Sequence, residues 1–529
     1  MDNSVKILSM PQHMTTRILS SFLFLFLISS CSPQAPTPPL VSSATPLPPP
    51  TDIPPTSPFL PTETPAAVAT VTPDLERPQY VLDLQLNYSA RAATVNETII
   101  YPNWTGETLN NLVLAVEPNL WSGGFSLKSL AINDQPITNY TLENMSQRLE
   151  FPLPQPLPPS GTLTITITYG LILPQMQAYL NASNDIRPQI YGYSEKQVNF
   201  VDWYPFVVPY VPGQGWLLHN PWFYGEHLVY DLADFDVTIT FTDGANPQIA
   251  ASGAEVKHPI SDVTPPSTAS GTPTGVLNHH FVLEEGRTFA LSMSDFFKVA
   301  TQTVGDITVY AYYFGIYNAS GEAMLQTTVE AMQTYSERFG PYRHTTLTAV
   351  QGDFNDGMEF SGLYFISRDY FNLYDGTPKN YLVTIAAHET AHQWWFDAVA
   401  NDQALEPWLD EALATYSEHI YYESVYPDLV DWWWGYRYFE FLEAGDVDTA
   451  IYNGGGQRPY WDKVYLTGAR FFEDLRKRVG DEIFFAFLKD YYTQYTGKRA
   501  TGADFFRVFH EHTAADITDL LTKYFKNTY

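Results

Sequence analysis

Thr384 to Asp397 reads TIAAHETAHQWWFD and contains His388-Glu389-Thr390-Ala391-His392, the H-E-x-x-H pattern. On a helix, residues four apart lie roughly 40° apart around the axis and about 6 Å apart along it, so the two imidazoles can reach one small cation. Glu389, one step after the first histidine, projects beside that cation, where its carboxylate can take a proton from water. A short pattern fixed at only three positions also arises by chance on solvated helices, so it needs support from elsewhere in the chain.

That support comes from Glu411, which follows His392 after eighteen intervening residues, within Trp408-Leu409-Asp410-Glu411-Ala412-Leu413-Ala414. Two histidines and a glutamate on a following helix make the three-ligand set of a catalytic zinc site, with the fourth position left to water. A structural zinc site is more often closed by cysteines, and Cys31 is the only cysteine in the chain. The pattern therefore predicts one Zn2+ per chain on His388, His392 and Glu411, with Glu389 as general base.

With both blocks in place, the sequence resembles the gluzincin metallopeptidases, in particular the aminopeptidase N (membrane alanyl aminopeptidase) family. That family carries H-E-x-x-H, eighteen residues, then E within W-L-N-E-G-F-A. Here the second block is WLDEALA, with Asp410 for the Asn and Ala412 for the Gly. Upstream, Asp356-Gly357-Met358-Glu359-Phe360 resembles the family's G-x-M-E-N block, with Asp356 for the first Gly and Phe360 for the Asn. Downstream, Val464-Tyr465-Leu466-Thr467-Gly468 resembles V-Y-x-K-G, with Thr467 for the Lys. The resemblance runs from Gln79 to the C-terminus.

It implies a zinc-dependent aminopeptidase acting on peptides with a free N-terminus. On that reading Glu359 pairs with the substrate's α-ammonium in a substrate-binding block shared with Gly357 and Met358, and Tyr465 donates its hydroxyl to the oxyanion. Tyr460 is a second tyrosine that could face the cleft, and Thr415, one turn after Glu411, is a candidate for a contact behind that ligand. Two alternatives stay open: an endopeptidase of the same clan, without amine recognition, and a surface-tethered peptide-binding protein. The second would have no use for a general base at Glu389.

At the other end, Met1 to Cys31 reads as a lipoprotein-type signal peptide. Arg17 supplies a positive n-region and SSFLFLFLISS an apolar run of h-region length, too short to span a bilayer comfortably; Met14 offers a more compact start. Ile28-Ser29-Ser30-Cys31 resembles a bacterial lipobox, which makes Cys31 the lipid attachment residue. The expected location is the bacterial cell envelope, outside the cytoplasm and lipid-anchored to a membrane. A single cysteine excludes intramolecular disulfides.

Residues 32–78 hold fifteen of the forty prolines. Rich also in Thr, Ser and Ala, this tract cannot bury a core and favours extended polyproline II, a semi-rigid disordered stalk reaching up to about 150 Å. The net charge of −30, from 58 acidic and 28 basic residues, argues against nucleic acid and anionic membrane surfaces as electrostatic partners.

Beyond the stalk, Leu82, Leu84, Leu86 and Tyr88 alternate with polar residues, as do Leu163, Ile165 and Ile167, and Phe235, Val237, Ile239 and Phe241. Separated by turns such as Asn133-Asp134 and Pro158-Pro159-Ser160-Gly161, these runs predict an N-terminal antiparallel β domain over 79–300. The resemblance makes that domain saddle-like and places it over the active site. The aromatic stretch Phe200 to Tyr224 suits packing, and His258 to Gly275 reads as an irregular loop.

Near Thr301 the pattern changes. Ile307 to Phe314 and Leu347 to Val350 read as strands, and Leu325, Val329 and Met332 form a helical stripe ended by Gly340-Pro341. The domain over 301–529 is thus expected to be a thermolysin-like zinc peptidase domain, passing from an α/β lobe to α-helices. Helices are predicted over Tyr381 to Val399 and Trp408 to Tyr422, through FFEDLRKRVGDEIFFAFLKDYY, and near Asp516 to Phe525. The resemblance further implies a short form without a large helical domain after it, and so a more open cleft.

Overall fold

Period-two patterning becomes sheet wherever one face can be buried, and the strand Gln79–Asn87 shows this directly: Leu82, Leu84 and Leu86 point inward between partly exposed neighbours. The computed structural model describes residues 77–176, 190–256, 278–438 and 445–529. The signal-like segment with Cys31, the proline-rich tract up to residue 76 and the His258 to Gly275 insertion lie outside the described residues.

Strands dominate from Gln79 to Val304. The largest sheet has eight strands and is centred on Gln79–Asn87, Ala92–Pro102 and Thr162–Ile172. These three pair antiparallel, but Gln79–Asn87 pairs in parallel with Ala233–Phe241 (Leu84 opposite Ile239), so the antiparallel expectation does not hold at this seam. The long connection between these two strands, rather than a hairpin, lets them run the same way. Asn133 and Asp134 turn the chain with φ of 47° and 64°, the left-handed values that a tight hairpin demands of both central residues.

A five-stranded mixed sheet follows, in the order Phe297–Val304, Ile307–Phe314, Thr346–Gln351, Leu363–Ile366, Met358–Phe360. Its first strand already begins at Phe297, so the change of pattern read at Thr301 falls inside that strand. The helix Asn318–Arg338 makes the crossover between the parallel strands Ile307–Phe314 and Thr346–Gln351. Met358–Phe360 is the edge strand, antiparallel to Leu363–Ile366.

Two helix boundaries differ from expectation, and both matter for the site. The helix bearing the histidines spans Tyr381–Ala391 and stops at His392 instead of running on to Val399. Trp394, Trp395 and Phe396 are consecutive and all buried; on a helix three successive side chains fan out over about 200°, too wide for one buried face. The chain instead makes wide turns in which the N–H groups of Asp397, Ala398 and Val399 donate to the carbonyls of His392, Gln393 and Trp394 at 2.9, 3.3 and 3.0 Å. Phe396 there has φ of 152°, a conformation that costs a residue with a Cβ roughly 1–3 kcal/mol and persists only when its surroundings impose it.

The helix that Glu411 opens spans Glu411–Val425, preceded by a 3-10 turn, Pro407–Leu409. Trp408 in that turn is fully buried among Phe471, Phe472, Phe505, Phe506 and Phe525, and Asp410 accepts from the N–H of Glu411 (2.8 Å). The helix start, and with it Glu411, is therefore fixed by an aromatic core. The downstream helical stretch is two helices, Gly468–Val479 and Asp481–Tyr495, broken where Gly480 takes φ of 81°. The last helix is Thr518–Tyr524.

Candidate active site

His388 and His392 lie one turn apart, and the following helix brings Glu411 to them. His388 Nε2 lies 3.2 Å from His392 Nε2 and 3.3 Å from Glu411 Oε2, and His392 Nε2 lies 3.5 Å from the same oxygen. Four ligands tetrahedrally disposed about 2.0–2.1 Å from zinc would stand about 3.3–3.4 Å from one another. All three residues are buried.

The outer nitrogens show what the inner ones carry. His392 Nδ1 faces the carbonyl of Trp395 (3.1 Å), which can only accept, and His388 Nδ1 faces the Glu418 carboxylate (2.9 Å). Both Nδ1 atoms are then the N–H donors, which leaves each ring's Nε2, turned toward Glu411, as the nitrogen able to bind a cation. Three acceptors converging without a donor between them suit a cation. The electrostatics agree. Burial opposes charge on His392, yet Glu359, Glu411 and Glu389 outweigh it and push its pKa up. Burial likewise opposes ionisation of Glu411, and the two histidines overcome it and hold that carboxyl well below its usual range.

Behind His388, Glu418 accepts from Trp433 Nε1 (2.9 Å) and from Arg437 through Nε and Nη2 (2.9 and 2.7 Å). Burial disfavours its charge, but Arg437 and then His388 hold it ionised. Thr415 takes no part in this arrangement: its hydroxyl donates to the carbonyl of Glu411 (2.7 Å), the helix's own backbone.

Glu389 lines the cleft beside His392 and Glu359. Its Oε2 is buried and has no hydrogen-bond partner among the described residues. Burial, reinforced by Glu359, Glu411 and Asp356 and opposed by His392, raises its proton affinity. Gly357 is what lets this carboxylate lie so close to the edge strand, because a Cβ there would stand 2.3 Å from Glu389 Oε1.

Glu359 is buried, accepts from Gln403 Nε2 (3.1 Å), and has an oxygen within 4.8 Å of ligand atoms of both Glu389 and His392. Gln393, from the turn after the histidine helix, holds the end of its strand by accepting from Gly362 N–H (2.9 Å) and donating to Phe360 carbonyl (3.0 Å). Met358 does not join Glu359. Neighbours on a strand point to opposite faces, so the side chains of Met358 and Phe360 enter the apolar core while Glu359 lines the cleft.

Tyr465 lies in a π-helical stretch, Asp462–Thr467, and its ring stacks on His388 at 6.0 Å and 10°. Burial, and then the Glu411 carboxylate to which it hydrogen bonds, raise its hydroxyl's pKa. Tyr460 sits behind it in the core, edge-on to Tyr465 (6.0 Å, 77°), and does not line the cleft.

Sequence reasoning did not assign Glu418, Arg437, or Glu226, which reaches the cleft from the β-rich part of the chain. Glu418 carried a usable signal: it follows Glu411 by seven residues, two turns along the same helix face. Glu226 carried none, since only the tertiary fold brings it there.

Residues 323–524 match the peptidase family M1 domain. Aminopeptidase M1-D of Oryza sativa is 25% identical over 223 residues, which cover 39% of this chain and 25% of that protein. Aminopeptidase N of Lactococcus lactis subsp. lactis is 22% identical over 472 residues, 84% of this chain and 50% of that protein. The chain thus spans between a quarter and a half of the length of these curated relatives. The crystal structure of an M1 zinc metallopeptidase from Deinococcus radiodurans superposes with a TM-score of 0.59 at 18% identity, covering 86% of this chain and 96% of that one. The fold is therefore the two-domain M1 peptidase fold, a β-rich domain followed by a largely helical one.

Proposed function

We propose that this chain, which carries a peptidase family M1 domain, is a zinc-dependent aminopeptidase that removes N-terminal residues from peptides. The observation that carries this reading is the convergence of three acceptor atoms, on His388, His392 and Glu411, beside two further buried carboxylates, Glu389 and Glu359. Its relatives are aminopeptidases by name, and the Deinococcus enzyme has been solved with a Tyr-Ser-Ala substrate. His388, His392 and Glu411 would hold one zinc ion. Bound zinc supplies Lewis acidity, polarising the scissile carbonyl and making water acidic enough to lose a proton near neutral pH.

The chain's own residues do the rest. Glu389 takes a proton from the attacking water and returns it to the leaving amine; with the water's second proton also passed to that nitrogen, water and an amide become a carboxylate and an ammonium. Tyr465 donates its hydroxyl to the oxyanion, a contact typically contributing about 10²- to 10³-fold. Glu359 anchors the α-ammonium and so sets the distance from the chain end to the cleaved bond. The cleft's remaining acidic wall, with Glu226 and Asp356, favours the same cationic end.

A panel of aminoacyl fluorogenic substrates, assayed with and without chelator and after zinc is restored, tests the proposal; hydrolysis unaffected by chelation would refute it. Glu359→Gln should lower kcat/KM on free-amine substrates by about 10²- to 10⁴-fold, the equivalent of leaving a buried charge unpaired at roughly 3–5 kcal/mol. Zinc content should be unchanged, and an equal loss on N-acetylated substrates would remove the amine-anchor role.

We also propose that Cys31 is lipidated and tethers the enzyme to a membrane of a bacterial cell envelope, on the strength of the apolar run before it and the proline-rich tract after it. Cys31→Ser should move the protein from the membrane fraction to the soluble one, and unchanged fractionation would show that it is held otherwise.

A further inference from the structure

The turn that follows the histidine helix has to hold Trp395 so that its carbonyl meets His392 Nδ1, yet the next residue, Phe396, sits at a φ that its side chain disfavours. Something must impose that path. The group in place to do so is Arg287, just past the strand Asn278–Gly286 of the β-rich part and outside the matched peptidase domain. Its buried guanidinium donates through Nε to the carbonyl of Asp397 (2.8 Å), through Nη2 to those of Ala398 (3.1 Å) and Lys498 (3.0 Å), and through Nη1 to that of Tyr230 (3.3 Å). Its main-chain N–H donates to Ser361 Oγ (2.8 Å), two residues past Glu359.

The surroundings reinforce this hold. The side chain of Asp397 is fully buried and paired with His344 Nε2 (2.8 Å), and Arg343 Nη1 also donates to the Asp397 carbonyl (3.3 Å). Burial opposes that carboxylate's charge, but His344 and Arg343 hold its pKa at about 2. The ring of Phe396 packs edge-on against Tyr230 (6.2 Å, 88°), whose carbonyl Arg287 also holds.

We infer that Arg287 is a positioning residue for His392: by satisfying the carbonyls of the strained turn it fixes the Trp395 carbonyl, and through it the tautomer and aim of the metal-binding ring. The fork shape is essential, because a planar guanidinium presents five fixed donors to carbonyls from separate segments and an ammonium presents three on a flexible stem. The β-rich part thereby contributes to metal binding without supplying a ligand. This inference rests on the zinc-site reading above.

The test is zinc affinity of the full chain, by chelator competition, for wild type, Arg287→Lys and Arg287→Met, together with the absorption spectrum of the cobalt-loaded proteins. Loss of an outer partner of a metal-binding histidine typically weakens metal affinity about 10- to 100-fold. Arg287→Lys is expected near the low end and Arg287→Met near the high end, both with an altered cobalt spectrum. Variants that melt at lower temperature but bind zinc as tightly as wild type, with an unchanged spectrum, would overturn the inference, leaving Arg287 a structural clamp. A wild type that binds no zinc would instead sink the metal-site reading itself.

If neither variant folds, wild-type amide exchange decides. Coupling between two sites is reciprocal, so zinc must slow exchange at the amides of Asp397, Ala398 and Val399 more than in the strand Ala92–Pro102. Equal changes in both places would overturn the inference.

Discussion

Glu389→Gln is expected to lower hydrolysis of every substrate by about 10²- to 10⁴-fold, the usual worth of a positioned general base. Gln has the same shape, so Gly357 still accommodates it, but it cannot take up a proton. Since Glu389 Oε2 has no partner among the described residues, no hydrogen bond at that oxygen is lost with the charge. Zinc content and melting temperature should stay close to wild type, and free-amine and blocked substrates should lose rate together. Measured kcat within about threefold of wild type would mean that another group moves the proton.

The second large effect concerns the metal. His388→Ala should abolish both zinc occupancy and hydrolysis, because it removes one of three ligands and leaves Glu411 and His392 without their shared partner. Glu418→Gln should be intermediate: it keeps all three ligands but weakens the acceptor that fixes the His388 ring, and zinc affinity is expected to fall about 10- to 100-fold. That variant also leaves Arg437, half-buried against Glu418, without its counter-charge, so it should melt at a lower temperature and be assayed well below its transition. Metal analysis and chelator competition check both variants. A His388→Ala protein that retains stoichiometric zinc, or a Glu418→Gln protein with unaltered affinity, would contradict the arrangement described for the site.

That His388, His392 and Glu411 come together was legible in sequence because the pattern is local: four residues along a helix fix two imidazoles, and one more block supplies the carboxylate. The strand alternation that gives Leu82, Leu84 and Leu86 an inward face was equally local. What stayed hidden depends on the tertiary fold. The histidine helix ends at His392 because three consecutive bulky aromatics are buried on different sides, and helical patterning alone cannot register that. Met358 turns away from the cleft because its block folds as an edge strand, and strand alternation then separates it from Glu359. The parallel pairing of Gln79–Asn87 with Ala233–Phe241 joins segments far apart in sequence. Nothing in the sequence marks Arg287, and only the tertiary fold brings its guanidinium to the carbonyls of Tyr230, Asp397, Ala398 and Lys498.

The central claim is that this zinc site works from a free N-terminus. One peptide, prepared with its N-terminus free and with it acetylated, should be presented to the zinc-loaded wild-type protein and the rate of release of its first residue compared with the rate of any internal cleavage. The free peptide should lose its first residue, and the acetylated one should be cut at least about 10²-fold more slowly, since it offers Glu359 no charge to pair with. Equal cleavage of the two, or cleavage at internal bonds, would contradict the aminopeptidase reading and place the chain among endopeptidases of the same clan.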